Sequence, residues 1–436
     1  MKKTINKNST AIYFKKQAVA GTIEEYLYTK NGLRVLFAHI PNCNTVVTNI
    51  VYLVGSRHEV PGKTGIAHMF EHMLFKDTKD RDGKRSLVPR HIPLQNKGAL
   101  LNASTWTDRT NYYFVMPPEY LDEMLSAEAE RMRGLILTPK EFRPEQQNVL
   151  SEYEMYASRP DFILDSALTS HAFISHGYGH DTIGFKSDIE RLTCDDLQAF
   201  YDTYYWPNNA YLVVAGDISR EEVFRLVDAN FAHIPSSPKA IPQTTIIEPP
   251  RTGRQTIEIQ RQNPVTLTTL CYPAPRARDR EWVIADLALT YLTAGKLSPL
   301  YKKLVDTHKA SAVHASLMLS YDPSLMSIEV TVSRGTTPTE VQSIVLKEIN
   351  HLSTHTIKEK DLTRIKNKMI ADTLYARDGA QALAHELTEF IASGDWKKYT
   401  QIIEEVARVT PEDIQKCAHA WLNADTVLIG TLTGTP

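Results

Sequence analysis

Near residue 193 the chain reads LTCDDLQAFYDTYYWPNNAYLVVAGD, and near residue 410 it reads VTPEDIQKCAHAWLNADTVLIGTL. In both stretches a threonine, Thr193 or Thr410, is followed two and three positions on by acidic residues, the pattern of a helix N-cap. An Asn-containing turn then leads into a β-branched strand. Aligning Thr193 with Thr410 gives a repeat of 410 − 193 = 217 residues. That period is too long for a solenoid unit and suits a duplicated domain. The chain is therefore expected to fold as two related halves, and its 436 residues are right for two domains of ordinary size. The boundary is expected in the Pro-, Ser- and Thr-rich run HIPSSPKAIPQTTIIEPPRTGRQ, which discourages both helix and sheet. This places a first domain at 20–233, a linker at 234–254 and a second domain at 255–436.

Within the first half, GLRVLFAHI, TVVTNIVYLV and TNYYFVMP read as strands. TGIAHMFEHMLF, EYLDEMLSAEAERMRGLI and PEQQNVLSEYEMYA read as helices. Each half is thus expected to be α+β, a mostly antiparallel sheet with helices packed on it.

Hydrophobic content of 42% with 23% charged residues belongs to a folded globular chain. A formal net charge of −2 gives no broad attraction to nucleic acid or an anionic membrane. No run approaches the roughly 20 apolar residues of a membrane span. The basic start MKKTINKNSTAIYFKK is not followed by the apolar stretch of a signal peptide. Cys43, Cys194, Cys271 and Cys417 are far apart, so neither a disulfide framework nor a cysteine metal site is signalled. These features predict a cytoplasmic protein in a reducing compartment, periplasmic only if the chain is a processed form.

The chemistry concentrates in GKTGIAHMFEHMLF. His68 and His72 are four apart on a predicted helix, so both imidazoles project from one face and can reach one ion. Glu71 beside them completes H-x-x-E-H, the inverse of the commoner H-E-x-x-H, and can take a proton from a water at the metal. A catalytic zinc needs a third protein ligand and an open position. The helix beginning near Pro144 offers Glu145 and Glu152, seven apart on one face, with Glu154 rotated away. Either of the pair can ligate while the other supports the site through hydrogen bonds. His58, His91, His171, His176 and His180 are read as surface or structural histidines.

The sequence resembles the pitrilysin, insulysin and mitochondrial processing peptidase family of inverted-motif zinc peptidases. The likeness spans nearly the whole chain, through GSRHEVPGKTGIAHMFEHMLF, LLNASTWTDRTNYYFVMPPEYL, QQNVLSEYEMYASRPD, HGYGHDTIG and YYWPNNAYLVVAGD. It implies that one zinc per chain is held by His68, His72 and Glu152, with Glu145 in support. It also implies a mechanism: zinc polarises the scissile carbonyl, Glu71 deprotonates the water, and the same residue protonates the leaving amine. Substrate would add as an extended strand along Asn102 to Thr107, with Asn102, Ala103 and Ser104 binding it.

The sequence also departs from the family pattern. Active members place an Arg and, seven residues later, a Tyr in the second half to contact substrate and stabilise the tetrahedral intermediate. Here the matching positions are Val305 and Ala312, which have no side-chain donor for an oxyanion. The helix RDREWVIADLALTYLTA, in the place of the metal helix, has no H-x-x-E-H. The resemblance implies a four-domain clamshell chamber built from two chains. The expected assembly is therefore a dimer, preferably a heterodimer whose partner supplies the Arg and Tyr. The expected function is a zinc-dependent endopeptidase of unfolded peptides. A specific presequence or propeptide processing peptidase is the alternative, and a non-catalytic structural relative a more distant one.

Overall fold

The computed structural model of the chain describes residues 10–86, 88–263 and 265–435. The basic residues 1–9, read above for targeting, lie outside these. Among the described residues no helix is long and apolar enough to cross a membrane. The chain divides into two compact units.

The first unit is built on a seven-stranded sheet: β1 (Phe14–Ala20), β2 (Ile23–Tyr28), β3 (Arg34–His39), β4 (Val46–Tyr52), β5 (Leu100–Thr105), β6 (Thr110–Met116) and β7 (Ala210–Gly216). Their spatial order is β1-β2-β3-β7-β4-β6-β5, so β5 is an edge strand. All neighbours are antiparallel except β3 and β7. Strand β4, VVTNIVY, is buried at all seven positions. A strand covered on both faces reads as a largely apolar, β-branched run instead of alternating, and here Thr48 and Asn49 are its polar exceptions.

The second unit carries β8 (Gln255–Gln262), β9 (Thr266–Ala274), β10 (Ala310–Leu317), β11 (Ser324–Val332) and β12 (Leu428–Thr435), in the order β10-β11-β9-β12-β8. Only β12 and β8 are parallel. Read from the other side, β8-β12-β9-β11-β10 reproduces β3-β7-β4-β6-β5 strand for strand, parallel pair included. The 217-residue repeat is therefore a duplicated topology, and both halves are α+β as expected. Its caps are formed as well. Thr193 receives the Asp196 N–H at 3.2 Å and Thr410 the Asp413 N–H at 3.1 Å, each in a capping box.

Two helices occupy each other's places. Helix Pro160–Ala172 belongs to the second unit, where Leu164 and Leu168 pack with Cys271, Leu428 and Leu432. Helix Gly379–Ala392 belongs to the first unit, packed on β4 and β7. They start 379 − 160 = 219 residues apart, close to the repeat, so equivalent helices have been exchanged. Residues 235–254 carry no regular structure. A single cut at 234–254 thus separates the two sheets but not the two compact units. The first sheet also begins at Phe14, ahead of the expected start at 20. The helix expected from Pro144 starts at Pro139 and runs to Ala157. Pro144 lies inside it, beyond the first turn, and has no N–H to give the Lys140 carbonyl.

Candidate metal centre

Helix Ile66–Met73 buries Ile66, Ala67, Met69, Phe70 and Met73, which leaves His68, Glu71 and His72 on its other side. Its entry is tightly built. Gly65 has φ +84°, and a Cβ there would come within 2.4 Å of the Ile183 carbonyl oxygen. Gly184 approaches from the facing loop with φ +81°, where a Cβ would lie 2.3 Å from the Gly65 nitrogen. Only glycine fits both conformation and space, which gives the HGYGHDTIG stretch its structural meaning. The Glu59 carboxylate accepts the Gly65 and Ala67 N–H groups, each at 2.8 Å, satisfying free donors at the helix start. Burial pushes the Glu59 carboxyl up to about 8, against the pull of these two bonds.

His68, His72 and Glu152 each offer a donor atom, all within 4.8 Å of one another. Among the described residues no other group of His, Cys, Asp or Glu converges in this way. Nε2 of His68 and Nε2 of His72 both lie 3.7 Å from Oε2 of Glu152. Neighbouring ligands of a tetrahedral zinc with bonds near 2.1 Å stand roughly 3.4 Å apart, so the three donors fit that ion with little adjustment. The two imidazole planes cross at 85°. Burial, with His72 adding to it, pushes the His68 imidazole down to about 4, which keeps its lone pair available for a metal at neutral pH.

Glu145 lies behind His72, with Oε2 3.2 Å from Nδ1, and its other oxygen takes the Lys76 ammonium. Burial alone would raise the Glu145 carboxyl, but Lys76, Asn148 and His72 outweigh it and hold it below the usual range. A carboxylate on Nδ1 fixes the tautomer that turns the Nε2 lone pair toward Glu152. Glu71, by contrast, is raised by burial, with the Thr105 hydroxyl and His72 pulling the other way. Thr105 Oγ1 donates to Glu71 Oε2 at 2.5 Å.

That threonine ends β5, the edge strand. The hairpin closes with the Trp106 N–H on the Arg109 carbonyl, 2.8 Å. Antiparallel pairs alternate between bonded and non-bonded, so with Ser104 opposite Asn111 and Ala103 opposite Tyr112, Ser104 is turned into the sheet. The main-chain groups of Ala103 and Thr105 face the open edge. Of the predicted segment, Ala103 thus presents backbone to that edge, while Asn102 and Ser104 bond inward to β6 and offer side chains. Lys76, Thr105 and Glu59 were not singled out from the sequence. Lys76 is one turn beyond His72 and could have been found by that spacing; Glu59 and Thr105 reach the site only through the fold.

His58, His91, His171 and His176 lie outside the metal cluster. His58 Nδ1 accepts the Gly55 N–H, His91 packs edge-on to Phe75, His171 contacts the Ala167 carbonyl, and His176 meets Asp322. Val305 ends the short π-helix Tyr301–Val305 and Ala312 sits on β10, the edge strand of the second sheet.

A duplicated α+β chain carrying H-x-x-E-H and a glutamate from a second helix defines an inverted-motif metallopeptidase architecture. The family described as Insulinase (Peptidase family M16) matches residues 34–185, and that described as Peptidase M16 inactive domain matches residues 191–369. The chain belongs to this family, which includes the pitrilysins and the mitochondrial processing peptidases. It is 28% identical over 403 residues to the zinc protease PqqE of Helicobacter pylori, covering 91% of this chain and 90% of that protein. It is 23% identical over 401 residues to a probable mitochondrial-processing peptidase subunit beta of Schizosaccharomyces pombe, covering 89% and 86%. A crystal structure of a protease from Helicobacter pylori superposes with a TM-score of 0.87 at 27% identity, over 97% of this chain and 100% of the other. A peptidase M16 inactive domain from Pseudomonas fluorescens gives 0.83 at 15% identity over 95% and 98%, a likeness of fold alone.

Proposed function

We propose that the chain is a zinc-dependent endopeptidase subunit, with His68, His72 and Glu152 holding one ion and Glu71 as the general base. The observation that carries this reading is the convergence of the His68, His72 and Glu152 donor atoms beside the part-buried carboxyl group of Glu71, which shares a helix with the two histidines. When bound, zinc supplies Lewis acidity toward a water and the scissile carbonyl. Glu71 has one oxygen held by Thr105, which leaves the other for the proton of the attacking water. Its raised carboxyl brings it closer to neutral pH, where a group can both accept that proton and pass it to the leaving amine.

An extended peptide pairs with the outward main-chain groups of Ala103 and Thr105, while the exposed Asn102 and part-buried Ser104 meet its side chains. Val305 and Ala312 cannot donate to an oxyanion, so a related partner chain supplies Arg and Tyr in a heterodimer. A specific processing role is the second reading, favoured by the likeness to a mitochondrial-processing peptidase subunit beta.

The test is to purify the chain alone, measure bound metal, and assay a quenched peptide library with Glu71→Gln and a chelator as controls. Stoichiometric zinc and Glu71-dependent cleavage support a self-sufficient peptidase, and one dominant cleavage site would favour processing over general degradation. Zinc with almost no turnover points to the partner, to be checked with Val305→Arg/Ala312→Tyr. Absence of stoichiometric zinc overturns the proposal and leaves a structural relative.

A further inference from the structure

We propose that Arg109 and Glu389 form a positioning pair that sets the edge of β5 for peptide binding, with helix Gly379–Ala392 as its anchor. The inference rests on the reading above, in which an extended peptide pairs with β5. Arg109 is only 5% exposed. Its Nη1 donates to the Ser104 carbonyl at 2.7 Å, to Asn111 Oδ1 at 3.0 Å and to the Ser104 hydroxyl. Its Nε donates to Glu389 Oε1 at 3.2 Å, and Nη2 reaches the same oxygen. One planar guanidinium therefore grips Ser104 twice and ties it to Glu389, 280 positions beyond Arg109.

Ser104 is the residue through which such a grip controls the open edge. It lies between Ala103 and Thr105, whose main-chain groups face outward, and Thr105 in turn holds Glu71. An edge strand bonded on one side only is prone to fray and twist. Fixing the Ser104 peptide fixes the direction of its two neighbours and so the register of an incoming strand. A second polar path makes the anchor firm. Asn111 Nδ2 donates to Asn49 Oδ1 at 2.9 Å, and Asn49 Nδ2 donates to Thr388 Oγ1 at 2.7 Å and to the Ala384 carbonyl at 3.0 Å. The exchanged helix thus reaches the peptide edge by two routes, one of them charged.

The test uses the full chain loaded with zinc. In the Glu71→Gln background, the Kd of a fluorescein-labelled unfolded peptide mixture is read by anisotropy; in the active chain, kcat and KM are measured. Arg109→Lys keeps the charge and loses the fork. It should weaken peptide binding about tenfold, the worth of one charge-assisted hydrogen bond, and raise KM far more than it lowers kcat, with zinc content and melting temperature near wild type. Glu389→Gln should act in the same direction, more weakly. The double variant should be no worse than Arg109→Lys alone, because both act through one contact. If Arg109→Lys does not fold, Glu389→Gln carries the test from the more exposed end of the pair. An unchanged Kd in a folded, zinc-loaded variant overturns the proposal, and multiplicative effects in the double variant overturn the pairing. A wild type that neither cleaves nor, as Glu71→Gln, binds peptide sinks the peptidase reading itself, an outcome visible before any Arg109 variant is made.

Discussion

Nδ1 of His72 stands 3.2 Å from Oε2 of Glu145, while Nε2 of the same ring faces Glu152 at 3.7 Å. One imidazole is thus held between two carboxylates of a single helix, the first against its Nδ1 and the second facing its Nε2. Lys76 keeps the first carboxylate charged from behind.

Removing that support should loosen the metal without removing a ligand. Glu145→Ala is expected to lower zinc affinity by roughly ten- to a hundredfold, measured by competition with a chromogenic chelator. Glu145→Gln should lose less, since its amide oxygen still accepts from Nδ1. Equal affinity in wild type and Glu145→Ala would show that His72 needs no such partner.

Acid should find His91 neutral. Burial, Arg131 and Lys76 push its imidazole down to about 4, and Phe75 packs against the ring. The sign follows from linkage: the unfolded chain takes up this proton near pH 6.5, the folded one only near 4. The stability tied to His91 is therefore complete above about 6.5 and is lost as pH falls through that window. His91→Gln should lose less melting temperature than wild type between pH 7 and 5. An NMR titration placing this ring near 6.5 would contradict the assignment.

All four thiols are free, and they should sort by burial. Cys271 and Cys417 are buried and pushed up to about 12 by that burial, so thiolate is scarce at neutral pH. Mild iodoacetamide treatment of the native chain should label Cys43 and Cys194, both partly exposed, well before the other two. Peptide mapping by mass spectrometry reads the order, and early modification of Cys271 would count against the packing of helix Pro160–Ala172 on β9.

What the sequence revealed follows the range of the interactions involved. His68, Glu71 and His72 lie on one short helix, and the caps at Thr193 and Thr410 are completed three residues away, so periodicity and spacing were enough. The choice between Glu145 and Glu152 was not local: both face the same way along helix Pro139–Ala157, and family likeness preferred Glu152. The edge position of β5 depends on the order of seven strands, and Arg109 meets Glu389 across 280 positions. Helix Gly379–Ala392 shows an apolar stripe of Ala380, Leu383, Leu387 and Ile391. Such a stripe says that the helix must be covered, not by which sheet.

The exchanged helices also bear on how the protein is born. By the time Gly216 has left the ribosome every strand of the first sheet has been synthesised, yet the helix that covers β4 and β7 begins only at Gly379, 379 − 216 = 163 residues later. At ordinary elongation rates that interval is on the order of ten to thirty seconds. Throughout it, the nascent sheet keeps one apolar face bare, and the Asn49 amide lacks Thr388 and Ala384. The first half cannot finish folding as it emerges, and must wait, as a chaperone client would, for the far end of its own chain.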